Sequence, residues 1–264
     1  MPSQVQLEIK ANDLIADKIY KLVLAGNFDL DDYLPGKFLH IKCSDNSVPL
    51  LRRPMSVCNI DDAGTEMVVL YRADGAGTNL LAAKKPGQEI DMLAPLGVHF
   101  PTEEVKEGDK IVLIGGGIGV PPLYYLGRKL KARGAVIKSI LGFNSAKDVF
   151  YEKEFQELGL TAITTIDGSY GHKGLVTDLM DTSYDVLYTC GPTPMLKAVQ
   201  KIYLSNAADG ASRVRSGYMS LEERMACGIG ACLACVSKST DPNCTSYNRV
   251  CTEGPVFPIH AIEL

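Results

Sequence analysis

A group of cysteines near the end of this 264-residue chain limits what the chain can fold into more than any other feature. Cys227, Cys232 and Cys235 follow the spacing C-x4-C-x2-C, and Cys244 and Cys251 come later as candidates for a fourth member. This is the ligand spacing of plant-type [2Fe–2S] clusters, in which four thiolates hold two irons. The sequence therefore predicts a sharply turning loop that presents three sulfur ligands together.

The residues around these cysteines favour a cluster over three other uses. Gly228 and Gly230 permit positive φ and let backbone N–H groups approach the sulfurs. A structural zinc site usually shows C-x2-C pairs, and only Cys232 and Cys235 form one here. A disulfide framework is typical of small secreted domains, and buried cysteines that act as small hydrophobic residues would not crowd together in this way.

The fourth ligand has to be chosen between two cysteines. Cys244 lies in the polar run 241–246, which is typical of a mobile loop. Cys251 is followed by 254–257, a Gly-Pro-Val-Phe stretch that is able to pack. We predict that Cys251 is the ligand and that Cys244 is a spectator.

Composition and charge exclude several classes of protein. Hydrophobic residues make up 46% and charged residues 22%, an ordinary globular balance, and the length suits two domains with a small appendage. The net charge of −4 gives no electrostatic footprint for nucleic acid. No apolar run reaches the roughly 18 residues of a membrane span, and no signal peptide begins the chain. We expect a cytoplasmic protein whose eight cysteines serve metal or redox chemistry.

The chain changes its pattern at the polar, charged stretch 101–108. Before it, short alternating or apolar runs between turn residues predict a small antiparallel β-barrel or sandwich. After it, the apolar run 111–114 indicates a strand buried on both faces, and strands then alternate with helices as in a doubly wound parallel sheet. A second boundary falls near 209–213. The predicted domains are 1–102 (β-barrel), 103–211 (α/β) and 212–264 (a small cysteine domain).

Helices in the α/β region are predicted from their periodicity and from their start signals. The last of them should have Thr193 as its N-cap and Pro194 in its first turn. The predicted helices cover 121–133, 148–158 and 194–207.

A glycine-rich turn follows the strand 111–114. The dinucleotide fingerprint G-x-G-x-x-G fails here, because Val120 stands where the third glycine is required. No acidic residue follows the second strand at 143–145 either, so these residues do not separate NAD from NADP. A strand, glycines and then a helix still suit a phosphate. The alternative is a tight turn that binds nothing.

Two further stretches contain candidate binding residues. Arg52 and Arg53, beside the rigid Pro54, are suited to clamp a pyrophosphate, although such a pair is more often a solvated surface. Cys190 lies at the carboxyl end of a predicted strand, where ligands bind in open α/β sheets, but a buried apolar cysteine is the commoner case. The four histidines have no ligand spacing and are interpreted as structural or surface residues.

Together these stretches resemble the ferredoxin–NADP reductase superfamily, which combines a flavin-binding barrel with a pyridine-nucleotide domain. Arg53, Pro54, Met55 and Ser56 resemble its R-x-[YF]-S motif, with Met55 in the aromatic position. The resemblance implies that Arg53 meets the FAD phosphates and that Ser56 lies by the isoalloxazine. It implies cofactor contacts for a further set: Leu70, Tyr71, Arg72, Gly77 and Thr78 for FAD, and Gly115, Gly117, Gly119, Cys190 and Gly191 for the nicotinamide nucleotide.

The chain is similar over its whole length to one family in particular, the electron-transfer subunits of B-type (NAD-dependent) dihydroorotate dehydrogenase. The segments 167–174, 220–235 and 249–257 carry this resemblance. It implies FAD on the barrel, NAD on the α/β domain and a [2Fe–2S] cluster in the last domain. The implied cluster ligands are Cys227, Cys232, Cys235 and Cys251.

The resemblance also implies a partner. Dihydroorotate would be oxidised at FMN in a separate catalytic subunit, and electrons would pass through the cluster and FAD to NAD⁺ in pyrimidine biosynthesis. Chain length agrees, because a TIM barrel needs about 250 residues and the length of this chain is already taken up by the three other domains. The expected assembly is a heterotetramer with two subunits of each kind.

Two rival hypotheses remain. Similar small subunits serve NAD(P)H-dependent ferredoxin, sulfide or sulfite oxidoreductases, so the same chain with another partner is the first. The second is a structural or regulatory module that holds zinc in the cysteine site and transfers no electrons.

Overall fold

The computed structural model describes residues 2–44, 48–208, 214–240 and 247–264. These residues form two large sheets and one small sheet. Among the helices described, none combines the length and the apolar composition that a membrane crossing needs.

The first sheet is antiparallel and curls into a half-barrel. This part of the chain contains the strands β1 (Ser3–Ala16), β2 (Ile19–Ala25), β3 (Phe38–Ile41), β4 (Arg53–Ser56), β5 (Asn59–Ile60), β6 (Glu66–Arg72) and β7 (Glu89–Leu96), with the helix α1 (Ala76–Ala82) between β6 and β7. The strand order is β4-β3-β7-β1-β2-β6-β5. Alternation along the strands places Ile9, Leu22 and Leu24 in one fully buried core on the inner face of this sheet. The predicted antiparallel barrel is therefore confirmed.

The second sheet is parallel over most of its width. Its strands are β8 (Lys110–Gly116), β9 (Val136–Phe143), β10 (Gly159–Thr165), β11 (His172–Lys173), β12 (Val186–Cys190), β13 (Ser216–Ser220) and β16 (Val256–Pro258). The helices between them are α2 (Val120–Ala132), α3 (Glu152–Leu158) and α4 (Thr193–Ala208). The order is β11-β10-β9-β8-β12-β13-β16, with parallel pairing from β11 to β13. The predicted doubly wound sheet is confirmed, because the strand order reverses at β8 with successive strands placed on either side.

Two helix starts differ from the prediction. The helix predicted over 148–158 begins only at Glu152, because Tyr151 takes a left-handed φ of 61° and breaks the helical run. The residues just before it form a separate 3₁₀ turn, Ala146–Asp148. The predicted N-cap Thr193 is instead the first residue of α4, and the amide of Leu196 donates to the carbonyl of Pro192.

The last part of the chain is divided between two sheets. Strand β16 pairs antiparallel with β13, so it extends the second sheet. The small third sheet consists of β14 (Val236–Ser239), β15 (Tyr247–Arg249) and β17 (Ile262–Glu263), in the order β15-β14-β17. The cysteine loop thus lies between β13 of the second sheet and β14 of the third.

The two large sheets share a hydrophobic core. One buried cluster contains Ile19 and Leu70 from the barrel together with Ile111 and Leu113 from β8. Phe100, in the segment that joins the sheets, is fully buried in this cluster and meets Tyr188 edge to face, with ring centroids 5.6 Å apart. Burial of one aromatic side chain between both layers makes their stabilities interdependent.

We expect Phe100→Ala to lower the free energy of unfolding by about 3–5 kcal/mol, because the lost ring leaves a cavity between the sheets. Urea denaturation followed by circular dichroism would measure this. The matched control is Leu160→Ala, whose side chain is 71% exposed and whose effect should stay within about 0.5 kcal/mol. A Phe100→Ala loss as small as that of the control would contradict the shared core.

Candidate functional site

A cavity of about 770 Å³ lies between the barrel and the second sheet, a volume that suits an organic cofactor. Strand β4, the end of β6 and α1 line the barrel side, and Cys190 with residues 220–225 lines the other. The structure therefore brings the predicted flavin segments to one place. The candidate residues that line this cavity are Arg53, Pro54, Met55, Ser56, Leu70, Tyr71, Arg72, Thr78 and Cys190.

A second cavity, of about 480 Å³, lies nearby, so the first is the larger cavity, and Arg53 is fixed at its rim. Its Nη1 donates to the carbonyl of Leu51 at 2.6 Å and to that of Arg52 at 3.3 Å. A guanidinium has five N–H donors, so a fork of donors remains for a phosphate. Gly77 lies directly beneath it, and a Cβ there would be 3.2 Å from Nε. Gly77 does not line the cavity. Because it has no side chain, it lets α1 approach Arg53.

Arg52 has a different part, which changes the interpretation of a two-arginine clamp. Its Nη2 lies 2.6 Å from Oδ1 of Asp91, and its Nη1 donates to the backbone carbonyl of Asp91 at 3.0 Å. The carboxylate contact is an ion pair rather than an aligned hydrogen bond, since Oδ1 has no hydrogen-bond partner of normal geometry. Asp91 compensates the charge of Arg52, and the contacts between them join the start of β4 to β7. Arg53, rather than Arg52, is therefore the arginine placed to bind an anion.

The floor of the larger cavity is apolar. Met55 and Leu70 are buried, and Tyr71 is buried as well while its hydroxyl donates to Asn12 at 2.8 Å. Tyr71 also stacks on Tyr20, with ring centroids 5.5 Å apart, and burial raises the pKa of Tyr71. An apolar wall with a guanidinium at its rim is an arrangement that suits a flavin dinucleotide.

The second cavity, of about 480 Å³, opens at the carboxyl ends of β8 and β9. It lies beside the point where strand order reverses between β8 and β12, which is where open α/β sheets bind nucleotides. Gly117, with φ of 51°, and Asn144 line it. Arg72 and Ile118 line both cavities, so the two spaces are neighbours.

The remaining candidate glycines line neither cavity and serve close packing. A Cβ on Gly119 would lie 2.5 Å from the backbone of Cys190, and one on Gly115 would lie 2.9 Å from Val120 Cγ2. A Cβ on Gly191 would lie 2.6 Å from Met195 Cε. These glycines keep the ends of β8 and β12 together at the switch point.

Cys190 is a buried, neutral part of the wall of the larger cavity. It is 2% exposed, and burial raises the pKa of its thiol. The sequence left open whether Cys190 is a buried apolar cysteine or a residue at a ligand site. Both descriptions apply, because the thiol is buried and the residue still borders the larger cavity.

The cysteine loop has the shape that its glycines predict. Gly228 and Gly230 have φ of 71° and 80°. The amide of Gly230 donates to Sγ of Cys251 at 3.2 Å, and the amide of Ile229 donates to Sγ of Cys227 at 3.5 Å. Backbone N–H groups directed at sulfur stabilise thiolates and set the reduction potential of the clusters that thiolates hold.

The thiols of the four candidate ligands interact chiefly in two pairs, in which Cys232 affects the pKa of Cys227 and Cys235 affects that of Cys251. Burial acts to raise the pKa of Cys227, but the amide of Ile229 and the thiol of Cys232 outweigh it and lower that pKa. Burial and the neighbouring Cys235 raise the pKa of Cys251. Two pairs of thiols fit a two-iron centre, in which each iron takes two thiolates. Within the ranges that the structure describes, no three or more Cys, His, Asp or Glu side chains form a group that could hold a metal ion.

Some residues at the site were missed or left undecided by the sequence. Residues 222–225 line the larger cavity just before Cys227, and only their place within the family-like segment pointed to them. His40 is fully buried beside the cysteine loop, and burial lowers its pKa to about 4. Nothing in the sequence distinguished it from the other histidines. Cys244, predicted to be a spectator, lies outside the described residues.

Comparisons with known proteins agree with this geometry. Residues 222–263 match the family model described as the iron–sulfur cluster binding domain of dihydroorotate dehydrogenase B. The chain is 48% identical over 264 residues to the dihydroorotate dehydrogenase B (NAD(+)) electron transfer subunit of Shouchella clausii (strain KSM-K16), covering 99% of this chain and 98% of the relative. It is 49% identical over 254 residues to the protein of that name from Bacillus mycoides (strain KBAB4), covering 95% of each.

Solved structures show the same architecture. The NADH-dependent reduced ferredoxin–NADP oxidoreductase, described for its flavin-based electron bifurcation, superposes with a TM-score of 0.81 at 25% identity. The superposition covers 97% of this chain and 89% of that one. The fold and the site together define a ferredoxin reductase-like flavoprotein with a C-terminal iron–sulfur segment. Within that class, the chain belongs to the family of dihydroorotate dehydrogenase B (NAD(+)) electron transfer subunits, and the family resemblance predicted from the sequence is confirmed.

Replacing the two later cysteines tests the choice of the fourth ligand. We expect Cys251→Ser to lose most of the iron, because Cys251 is buried, pairs with Cys235 and accepts from Gly230. Cys244→Ser should keep the iron content of the unaltered protein. Iron and acid-labile sulfide per bound flavin would be measured under anoxic conditions. Iron lost from Cys244→Ser and retained in Cys251→Ser would reverse the assignment.

Proposed function

We propose that this chain carries electrons from an FMN-containing dihydroorotate dehydrogenase catalytic subunit, through a [2Fe–2S] cluster and FAD, to NAD⁺. One observation carries the proposal. Met225 lines the larger cavity, and Cys227, the first of the cysteine ligands, follows two residues later. The family of the chain supplies the substrate class. When bound, the cofactors supply the redox chemistry, since a cluster moves single electrons, nicotinamide takes a hydride and a flavin does both.

The barrel residues bind and orient. Arg53 offers its guanidinium to the FAD phosphates from the rim of the larger cavity, where hydrogen bonds to the carbonyls of Leu51 and Arg52 fix it. Met55, Leu70 and Tyr71 present an apolar wall that excludes water from a flat ring. Ser56 lines the same cavity and can donate a hydrogen bond to a ring heteroatom.

The α/β residues place the nicotinamide nucleotide. The 480 Å³ cavity at the switch point receives NAD⁺, with Gly117 allowing close approach to its phosphates. Arg72 and Ile118 border both cavities, so a ring bound between them faces the flavin side. Gly115, Gly119 and Gly191 act indirectly by holding the strand ends together.

The cysteine segment holds the cluster next to the flavin side. Cys227 and Cys232 form one pair of ligands, and Cys235 and Cys251 form the other. Arg249 braces the loop, since its Nη2 lies 2.7 Å from Oε1 of Glu253 and its Nη1 donates to the carbonyl of Gly230 at 3.4 Å. The division into 1–102 for FAD, 103–211 for NAD and 212–264 for the cluster is part of this proposal.

The partner binds where an electron has to enter. Leu233, in the cysteine loop, is 62% exposed and takes a φ of 58°, a backbone conformation that is uncommon for a residue other than glycine. Contact with the catalytic subunit explains an apolar side chain held in this way. We propose a cytoplasmic complex with two subunits of each kind, and the net charge of −4 supports no nucleic-acid partner.

Co-expression with the catalytic subunit tests the function directly. The purified complex should reduce NAD⁺ with dihydroorotate, whereas this chain alone should not, because its cavities are assigned to FAD and NAD⁺. Cys232→Ala is the informative variant, since Cys232 is exposed and its loss costs the fold little. It should keep FAD and its NADH-dependent reduction of an artificial acceptor, while NAD⁺ reduction by dihydroorotate falls to background.

Three outcomes would contradict this account. Dihydroorotate-dependent NAD⁺ reduction by this chain alone would remove the division of labour. Normal partner-dependent turnover in Cys232→Ala would remove the cluster from the route. Co-purification with a large FAD or sirohaem enzyme in place of the FMN subunit would favour a sulfide or sulfite oxidoreductase.

The partner surface is tested by Leu233→Asn. Asparagine tolerates positive φ better than leucine, so the isolated chain should be as stable as before or more stable. Affinity for the catalytic subunit should fall roughly tenfold, about 1.4 kcal/mol, because an apolar contact is lost. Calorimetry would measure both. Leu160→Asn, which changes a 71% exposed leucine on β10, is the control and should bind normally; unchanged affinity in Leu233→Asn would contradict the assigned surface.

A further inference from the structure

His40 is a buried polar side chain without a normal hydrogen bond. It lies in β3, paired with Pro54 of β4 on one side and with Leu93 of β7 on the other. The residue is 0% exposed, and both Nδ1 and Nε2 lack a partner of normal length and angle. A buried polar group left unsatisfied is unfavourable, so an apolar residue would serve packing better at this position.

The ring of His40 packs directly on the cysteine loop. A Cβ on Gly228 would lie 2.6 Å from Nδ1, so only a glycine lets the loop come this close. Two backbone groups affect the pKa of the imidazole, that of Arg52 just before β4, the strand that carries Arg53, and that of Cys227 in the loop. Both are within reach of the ring, although neither contact has the geometry of a full hydrogen bond. His40 therefore stands between β4 and the first candidate ligand.

We propose that His40 is a positioning residue that holds the cysteine loop against the flavin-binding strand by donating a ring N–H to the backbone of Cys227. This inference rests on the proposed function and deepens it. An imidazole carries at least one N–H whether it is neutral or protonated, so the contact does not depend on the charge of the ring. Groups of this kind, one shell out from the ligands, orient the ligands and tune the metal that they hold.

The proposal gives His40 two distinct duties, packing and hydrogen bonding, which substitutions separate. His40→Leu keeps bulk and removes the donor. His40→Asn keeps an amide N–H near the position of Nδ1. Leu39→Ala is the matched control, because Leu39 is also fully buried in β3 but belongs to the barrel core.

The whole complex is used, with the catalytic subunit and FAD present. The readouts are the electron paramagnetic resonance spectrum of the reduced cluster and the rate of iron release to a chelator. We expect His40→Leu to keep FAD, to alter the spectrum and to release iron roughly 10- to 100-fold faster. His40→Asn should restore much of both. Leu39→Ala should lower the melting temperature and leave the spectrum unchanged.

A double-mutant cycle with Gly228→Ala keeps the test decisive if His40→Leu does not fold. The added methyl group meets Nδ1 in the unaltered protein, and His40→Ala removes that atom and so relieves the clash. Gly228→Ala should therefore speed iron release more when His40 is present than when it is combined with His40→Ala. Equal effects in both backgrounds would overturn the proposal, as would a His40→Leu protein that matches Leu39→Ala. An unaltered complex without iron would overturn the proposed function itself, whereas an intact cluster indifferent to His40 would overturn only this inference.

Discussion

The arrangement of the site depends on the last part of the chain returning to both large sheets. Strand β16 pairs with β13, joining Ser220 to Val256, and the amide of Leu221 donates to the carbonyl of Pro255 at 2.9 Å. On the barrel side, Val98 forms a β-bridge with Pro255, and a Cβ on Gly97 would lie 2.6 Å from Pro255 Cδ. These contacts fix both ends of the segment that contains the cysteines, so the loop is held against the cavity by packing on two sides.

A consequence of this return is an ordered row of sites. The smaller cavity adjoins the larger one through Arg72 and Ile118, and the larger one adjoins the cysteine loop through Met225. A relay between a hydride acceptor and a one-electron donor needs such a row, because each exchange happens between neighbours. The buried core around Phe100 keeps the sites next to one another, since it unites the barrel and the second sheet.

Much of this could be predicted from local sequence, and the rest depended on distant residues. The cysteine spacing and the apolar run of β8 are local patterns, so they predicted the cluster segment and the parallel sheet. The charge compensation of Arg52 by Asp91 joins residues far apart in sequence, and nothing near Arg52 announces it. The packing role of Gly119 depends likewise on Cys190 approaching from another strand. The start of α3 was missed because Tyr151 adopts a backbone conformation that its residue type disfavours.

The central claim is that four thiolates hold a two-iron cluster beside a bound flavin, and elemental analysis of anoxically purified protein tests it most directly. The account predicts about two irons and two acid-labile sulfides for each FAD, with flavin and iron–sulfur bands in the visible spectrum. A colourless protein containing stoichiometric zinc, without iron or sulfide, would contradict it.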